Sequence, residues 1–150
     1  EAQAIQAGLP RDGKPFWLSF TLRDEDTDEV PRLRSGEPVV DAAEAAAQLG
    51  VEVLLFNCSH PEVIGSAIDA ARQTFERLGV AIQIGAYANA FPPQPKEATA
   101  NDGLDPLRDD LDPPGYLHWA ADWQARGASH LGGCCGIGPE HIAVLAQKLA

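Results

Sequence analysis

Three cysteines, Cys58, Cys134 and Cys135, are the residues of this chain best suited to do chemistry. Thiolates suit a borderline-soft ion such as Zn2+, and three protein ligands leave a fourth tetrahedral position open, the pattern of catalytic rather than structural zinc sites. A thiol that enters the open position gives up its proton at neutral pH and becomes a nucleophile. The count is odd and two of the three are sequence neighbours, so a disulfide framework explains them poorly. A redox pair ranks last, because the usual spacing is Cys-x-x-Cys and adjacent cysteines make a strained bridge. On the cysteines alone, the reading that they are small buried apolar residues stays open.

The elements that must bring these sulfurs together form a repeated alternation of short apolar runs and amphipathic stretches, the pattern of βα units around a parallel sheet. Four units are expected. A strand over Phe16 to Leu22 leads through a charged loop, Arg23 to Gly36, to an Ala-rich helix that Pro38 opens and Gly50 stops. A second strand, Val51 to Asn57, precedes a helix from Pro61 whose stripe is Val63, Ile64, Ala67, Ile68, Ala71, Phe75 and Leu78. A third strand, Val80 to Ala86, is followed by a long segment to Pro114 rich in Pro, Asn, Asp and Gly, and loops of that length are usually functional. A helix from about Pro114 to Arg126 precedes the fourth strand, Ala128 to Gly132, and the last helix starts at Pro139, with Ile142, Leu145 and Leu149 toward a core. The junctions Leu49-Gly50-Val51, Leu78-Gly79-Val80 and Arg126-Gly127-Ala128 repeat one supersecondary unit.

Such units build either an open flavodoxin-like sheet or part of an eight-fold barrel, and in both the reacting groups gather at the carboxyl ends of strands. Cys58 follows the second strand and Cys134 and Cys135 follow the fourth. Neighbours on an extended strand point to opposite faces, so Cys134 and Cys135 reach one ion only if the backbone bends, which Gly132, Gly133 and Gly136 permit.

The 150 residues hold 11 Lys and Arg against 22 Asp and Glu, a formal charge of -11 and a pI near 4.6. That field repels nucleic acid and anionic membrane surfaces, which leaves a small molecule or another protein as the partner. The 45% hydrophobic content allows one domain with a sizeable core. No apolar run spans a bilayer, and Glu1-Ala2-Gln3-Ala4 lacks the basic and apolar regions of a signal peptide, so the protein reads as cytoplasmic, where thiols stay reduced. The chain has no methionine and opens inside a helical stretch, Glu1 to Ala7, so it is expected to be cut from a longer protein.

Leu55-Phe56-Asn57-Cys58-Ser59-His60-Pro61-Glu62 and Gly132-Gly133-Cys134-Cys135-Gly136-Ile137-Gly138-Pro139-Glu140-His141-Ile142 resemble the two metal-binding segments of the homocysteine S-methyltransferase family. Ser19-Phe20-Thr21-Leu22 and Leu33-Arg34-Ser35-Gly36-Glu37 are similar to the family's segments around its fifth strand, nearer the S-methylmethionine branch than the betaine one. The resemblance covers essentially the whole chain. It implies an α/β fold, the carboxyl-terminal half of a (βα)8 TIM barrel with strands five to eight, as one partial domain over residues 1–150. It further implies Zn2+ on Cys58, Cys134 and Cys135, homocysteine bound through its sulfur, and methyl transfer from a sulfonium donor, S-methylmethionine or S-adenosylmethionine, to give methionine. No catalytic residue beyond the metal ligands is expected, because attack of a thiolate on a cationic methyl sulfonium needs positioning and a dry site more than proton transfer.

Asn57 and Asn89 match family positions at strand ends, as substrate-side residues or as loop caps. His60, directly before Pro61, reads as a capping or surface residue, and His130, inside a strand, as a packed one. Tyr87, Phe91 and Trp119 suit a donor pocket, since a sulfonium prefers an aromatic face, and serve equally as core or lid. The family's amino-terminal half, whose first strand and fourth-strand acid grip the amino group of homocysteine, has no counterpart in these residues. The missing half-barrel, or self-association, is therefore the expected partner, and a non-catalytic zinc-binding half-barrel that serves as an interaction module is the alternative function.

Overall fold

In the computed structural model, which describes residues 2–9, 12–25, 30–92 and 106–149, the alternation becomes a regular series. It runs α1 (Ala2–Gly8), β1 (Trp17–Phe20), α2 (Val39–Leu49), β2 (Val53–Asn57), α3 (Pro61–Leu78), β3 (Gln83–Tyr87), a short 3-10 turn (Asp109–Leu111), α4 (Pro113–Ala125), β4 (Ala128–Leu131) and α5 (Pro139–Leu149). Gly50 and Gly79 end α2 and α3 in the left-handed conformation, each returning its N–H to the last turn of its helix. Most of the acidic, proline-rich segment after Phe91 lies outside the described residues.

The four strands pair in parallel in the order β1-β2-β3-β4. Crossovers between parallel strands are right-handed, so strands added in sequence order keep every helix on one face of the sheet. A flavodoxin-like sheet requires a reversal of strand order, and none occurs in these four units. The burial pattern agrees. Leu18, Leu54, Phe56, Ile84 and Ala86 point into one core with Val39, Ala43, Ile64, Ile68, Tyr116 and Trp123 of the helices. The residues between them, Trp17, Ser19, Val53, Leu55, Asn57, Gln83, Gly85 and Tyr87, belong to the opposite face by strand alternation. Val53 and Leu55 on that face are buried too, but lie outside this core cluster. The rings of Trp17 on β1 and His130 on β4 meet edge to face at 5.0 Å, so His130 is packed as expected.

Several boundaries differ from the expected ones for local reasons. The first strand ends at Phe20 because the chain turns back on itself: Leu22 pairs antiparallel with Leu33, and Arg23 and Arg34 donate backbone N–H groups to Arg32 and Thr21. The charged loop is thus partly a hairpin rather than a plain connection. The third strand starts at Gln83, since Val80 is still held by the last turn of α3 through its N–H to the Phe75 carbonyl. Leu78 and Ile142, assigned to helix core stripes, are instead 41% and 42% exposed. Leu78 is the last residue of α3, and α5 packs against α4, with Leu145 as its one buried residue. No helix among the described residues is long and apolar enough to cross a membrane.

Candidate metal centre

The three cysteines converge at the carboxyl ends of β2 and β4, which flank β3 in the sheet. Cys58 directly follows β2 with φ of 47°, a left-handed conformation that a side chain other than glycine adopts only under tertiary constraint, at about 1–3 kcal/mol. The constraint is visible. Its N–H donates to the Tyr87 carbonyl at 3.0 Å, and the next residue, Ser59, is fully buried, accepting the Leu22 N–H at 2.8 Å and donating to the Asn57 carbonyl at 2.9 Å. This tight turn swings the Cys58 side chain toward β4.

Beyond β4, the segment Gly132 to Cys135 stays laced to the segment after β3. Gly132 and Cys134 donate N–H groups to the carbonyls of Ala86 and Ala88, and Ala90 donates to Cys135, all at 2.9–3.0 Å. The hydroxyl of buried Tyr116 ties the same two segments, accepting the Ala88 N–H at 3.1 Å and donating to the Gly132 carbonyl at 2.7 Å. Burial holds the Tyr116 hydroxyl protonated far above the ordinary phenol range. Of the three glycines expected to allow the bend, two are required: Gly136 has φ of 80°, and a side chain on Gly133 would overlap Ile137. At Gly132 an added Cβ would meet nothing closer than ordinary van der Waals contact. Gly133→Ala is therefore expected to destabilise the chain by about 1–3 kcal/mol through overpacking, whereas Gly132→Ala should cost clearly less. Denaturant midpoints of the two variants check the contrast.

The resulting geometry is a sulfur triangle. The Sγ atoms of Cys58 and Cys135 are 3.7 Å apart, those of Cys134 and Cys135 3.8 Å, and all three lie within 4.8 Å of one another. Zn–S bonds of about 2.3 Å at the tetrahedral angle place neighbouring sulfurs roughly 3.8 Å apart, so the seat fits this ion without rearrangement of the two measured edges. All three cysteines are free thiols. Burial pushes the Cys58 thiol up, with the hydrogen bond to Cys134 adding to the rise, so a cation is what would make the cluster anionic. Cys135 is exposed, which leaves the triangle open to an incoming ligand.

No histidine among the described residues joins the three sulfurs. His60 is neither a surface residue nor a side-chain cap: it stands at the start of α3, buried, and its imidazole makes no capping hydrogen bond. Its backbone N–H donates to Asp24 at 2.7 Å, fastening the hairpin loop to the helix start. His141 accepts the Gly138 N–H at Nδ1 and meets the Leu111 carbonyl through Nε2, which fixes its tautomer. Asn89 is buried, and its side-chain oxygen accepts the Phe91 N–H at 3.1 Å in a local turn. Asn57 instead faces the open side of the sheet, where its Oδ1 accepts the Ser19 hydroxyl at 2.9 Å, and the Ser19 and Tyr87 hydroxyls meet at 2.6 Å. Trp119 packs against the helix-side core, away from this cluster, and Phe91 is half-buried just past β3. Ser19 and Ser59 lie within the quoted segments and Tyr116 does not, but the hydrogen bonds of all three have no sequence signal, since a lone hydroxyl has no signature of its own.

A parallel α/β unit with three thiols gathered at its strand ends carries a donor set that could seat a soft cation. The chain belongs to the homocysteine S-methyltransferase family, whose family model matches residues 1–149. It is 24% identical over 155 residues to homocysteine S-methyltransferase 4 of Zea mays, covering 99% of this chain and 41% of that protein. Among solved structures it is similar to the homocysteine methyltransferase MmuM from Escherichia coli in its oxidized form, with a TM-score of 0.66 and 24% identity over 98% of this chain and 39% of that one. The chain thus spans about two fifths of the length of these relatives.

Proposed function

We propose that residues 1–150 form one domain supplying strands five to eight of a (βα)8 barrel, and that this domain is the zinc-bearing part of an enzyme that methylates homocysteine. The observation on which the reading rests is the sulfur triangle, whose edges of 3.7 and 3.8 Å match a tetrahedral zinc site and whose exposed Cys135 leaves room for a fourth ligand. Zinc bound there would supply Lewis acidity enough to take the proton from a thiol at neutral pH. The work of the chain is to fix geometry. Cys58, Cys134 and Cys135 set where the thiol sulfur stops, and the hydrogen bonds of Tyr116, Ser59 and the β3 carbonyls hold those cysteines in place.

In the transfer, the homocysteine thiol loses its proton to solvent and its sulfur forms a new S–C bond to the donor methyl. The old S–C bond breaks with its electron pair going to the donor sulfur, so a cationic sulfonium becomes a neutral thioether and homocysteine becomes methionine. No charge is created in the step, and excluding water favours it. S-methylmethionine is the first choice of donor and S-adenosylmethionine the second. Assaying the complete barrel with both, and with betaine, decides the matter: methionine from a sulfonium donor is expected, betaine alone would refute the donor choice, and no product from any would remove the enzymatic reading.

One observation favours a second reading, a zinc-binding half-barrel that serves as an interaction module. On the inner sheet face, Trp17 is 50% exposed. Zinc binding without turnover, in the presence of every complementary half tested, would select that reading.

A further inference from the structure

The two cysteine-bearing segments must keep their spacing if the sulfur triangle is to hold, and one residue outside both of them joins them. Arg108, at the start of the short turn before α4, donates its backbone N–H to the Ala90 carbonyl at 2.9 Å, and Ala90 donates its own N–H to the Cys135 carbonyl at 2.9 Å. Leu107 closes the same junction, since its side chain lies where a Cβ on Gly136 would stand. The guanidinium of Arg108 reaches α3, where its Nη2 is 2.7 Å from Glu62 Oε1. Ser59, His60 and Pro61, which separate Glu62 from Cys58, are all buried, so Glu62 is rigidly joined to that cysteine.

The arginine is prepared for this reach. Asp110, in the same turn, accepts from its Nε and Nη2 at 3.0 and 2.6 Å, and the Arg108 side chain is 17% exposed. A guanidinium already held by one carboxylate has little rotamer freedom left to lose, so the second ion pair costs little ordering. The turn is also fixed at its far end, where the Leu111 carbonyl meets Nε2 of His141 and Nδ1 of that histidine accepts the Gly138 N–H. A partly solvated ion pair contributes little to folding on its own. One that bridges two ligand-bearing segments acts on geometry instead, and a tetrahedral cation is sensitive to the spacing of its sulfurs.

We propose that Arg108 is a positioning residue of the metal centre, the cross-link that holds Cys58 and the segment of Cys134 and Cys135 at the spacing a tetrahedral cation needs. This rests on the metal-binding reading above and gives the turn before α4 a part in that site. The sign of the effect separates it from plain electrostatics. By Coulomb attraction alone, removing a positive charge from the protein strengthens its binding of a cation, whereas removing a brace weakens it.

Co2+ is the probe, because its thiolate charge-transfer and tetrahedral bands report affinity and geometry without any turnover. Titration of the metal-free chain against a chelator is expected to give Arg108→Gln an affinity about fivefold below the parent, the upper end for one partly solvated ion pair. Arg108→Lys, which keeps the charge without the fork, should recover part of that loss. Glu62→Gln, at an exposed helix start where folding tolerates it, should match Arg108→Gln, and the double variant should lose no more than either alone, because both remove one bridge. Arg77→Gln breaks a comparable ion pair with Glu44, between α2 and α3, and should stay within about twofold of the parent. Circular dichroism of the metal-free variants is expected to match the parent, which assigns the loss to the metal seat and not to the fold. Unchanged or stronger cobalt binding in Arg108→Gln, or a multiplicative loss in the double variant, would overturn the assignment while leaving the metal site intact. A parent chain that shows no thiolate-to-cobalt charge transfer would instead overturn the metal-binding reading and the assignment with it.

Discussion

Replacing any one of Cys58, Cys134 and Cys135 by alanine is expected to reduce zinc from about one tightly held ion per chain to none retained through gel filtration. A structural zinc site is worth roughly 10–16 kcal/mol at neutral pH, so one thiolate among a few ligands accounts for several kcal/mol, or roughly a thousandfold in affinity. The three cysteines are half-buried or exposed and none belongs to the apolar core cluster, so the variants should keep the circular dichroism of the parent. X-ray absorption on the parent should show three protein sulfurs at about 2.3 Å and a light atom or added thiol as the fourth ligand. Uptake must displace thiol protons, more so at Cys58, whose thiol burial holds up, so affinity should weaken steadily as the pH is lowered. Unchanged zinc content in any single variant would sink the three-ligand arrangement.

The cysteine cluster was legible in the sequence because each part of it follows from a local rule: apolar runs end at Asn57 and Leu131, glycines follow the second of these, and strand ends are where side chains from separate units meet. What makes the cluster close was not legible. The turn at Cys58 depends on Ser59 being caught by the Leu22 N–H, a contact from 37 residues away, and the path of Cys134 and Cys135 depends on Tyr116 reaching two segments at once. The sheet shows the same division. The places of β2 and β3 followed from their apolar runs, but the register shift between Ile84 and Gly85, which leaves Ser129 without a register partner on β3 and turns His130 to the inner face, has no sequence signal. Likewise Leu78 and Ile142 satisfy the helical period and yet are exposed, because periodicity says which residues share a face and not whether another element covers that face.

That last point leads to the second large effect, expected for the chain on its own. Among the described residues β1 and β4 are edge strands with one bonded neighbour each, Trp17 on β1 is half-exposed, and Ile5, Leu9 and Ile142 are exposed on the terminal helices or beside them. Unpaired edges and a half-exposed Trp17 favour association, and in a barrel the edges would be met by the remaining four units. Two copies of this chain offer the same complementary edges to each other, but each brings a net charge of -11, which opposes pairing at low ionic strength and is screened as salt rises. Light scattering should therefore find a mass that grows with salt, and a matching amino-terminal half added in trans should give a salt-independent one-to-one complex. If the half-barrel proposal holds, transferase activity with homocysteine and S-methylmethionine should be negligible for the chain alone and should rise by orders of magnitude on complementation, since no acidic side chain accompanies Ser19, Asn57 and Tyr87 in their hydrogen-bonded cluster to hold an amino group. A stable monomer at all salt concentrations that makes methionine unaided would overturn the half-barrel proposal and place the whole amino acid site within these residues.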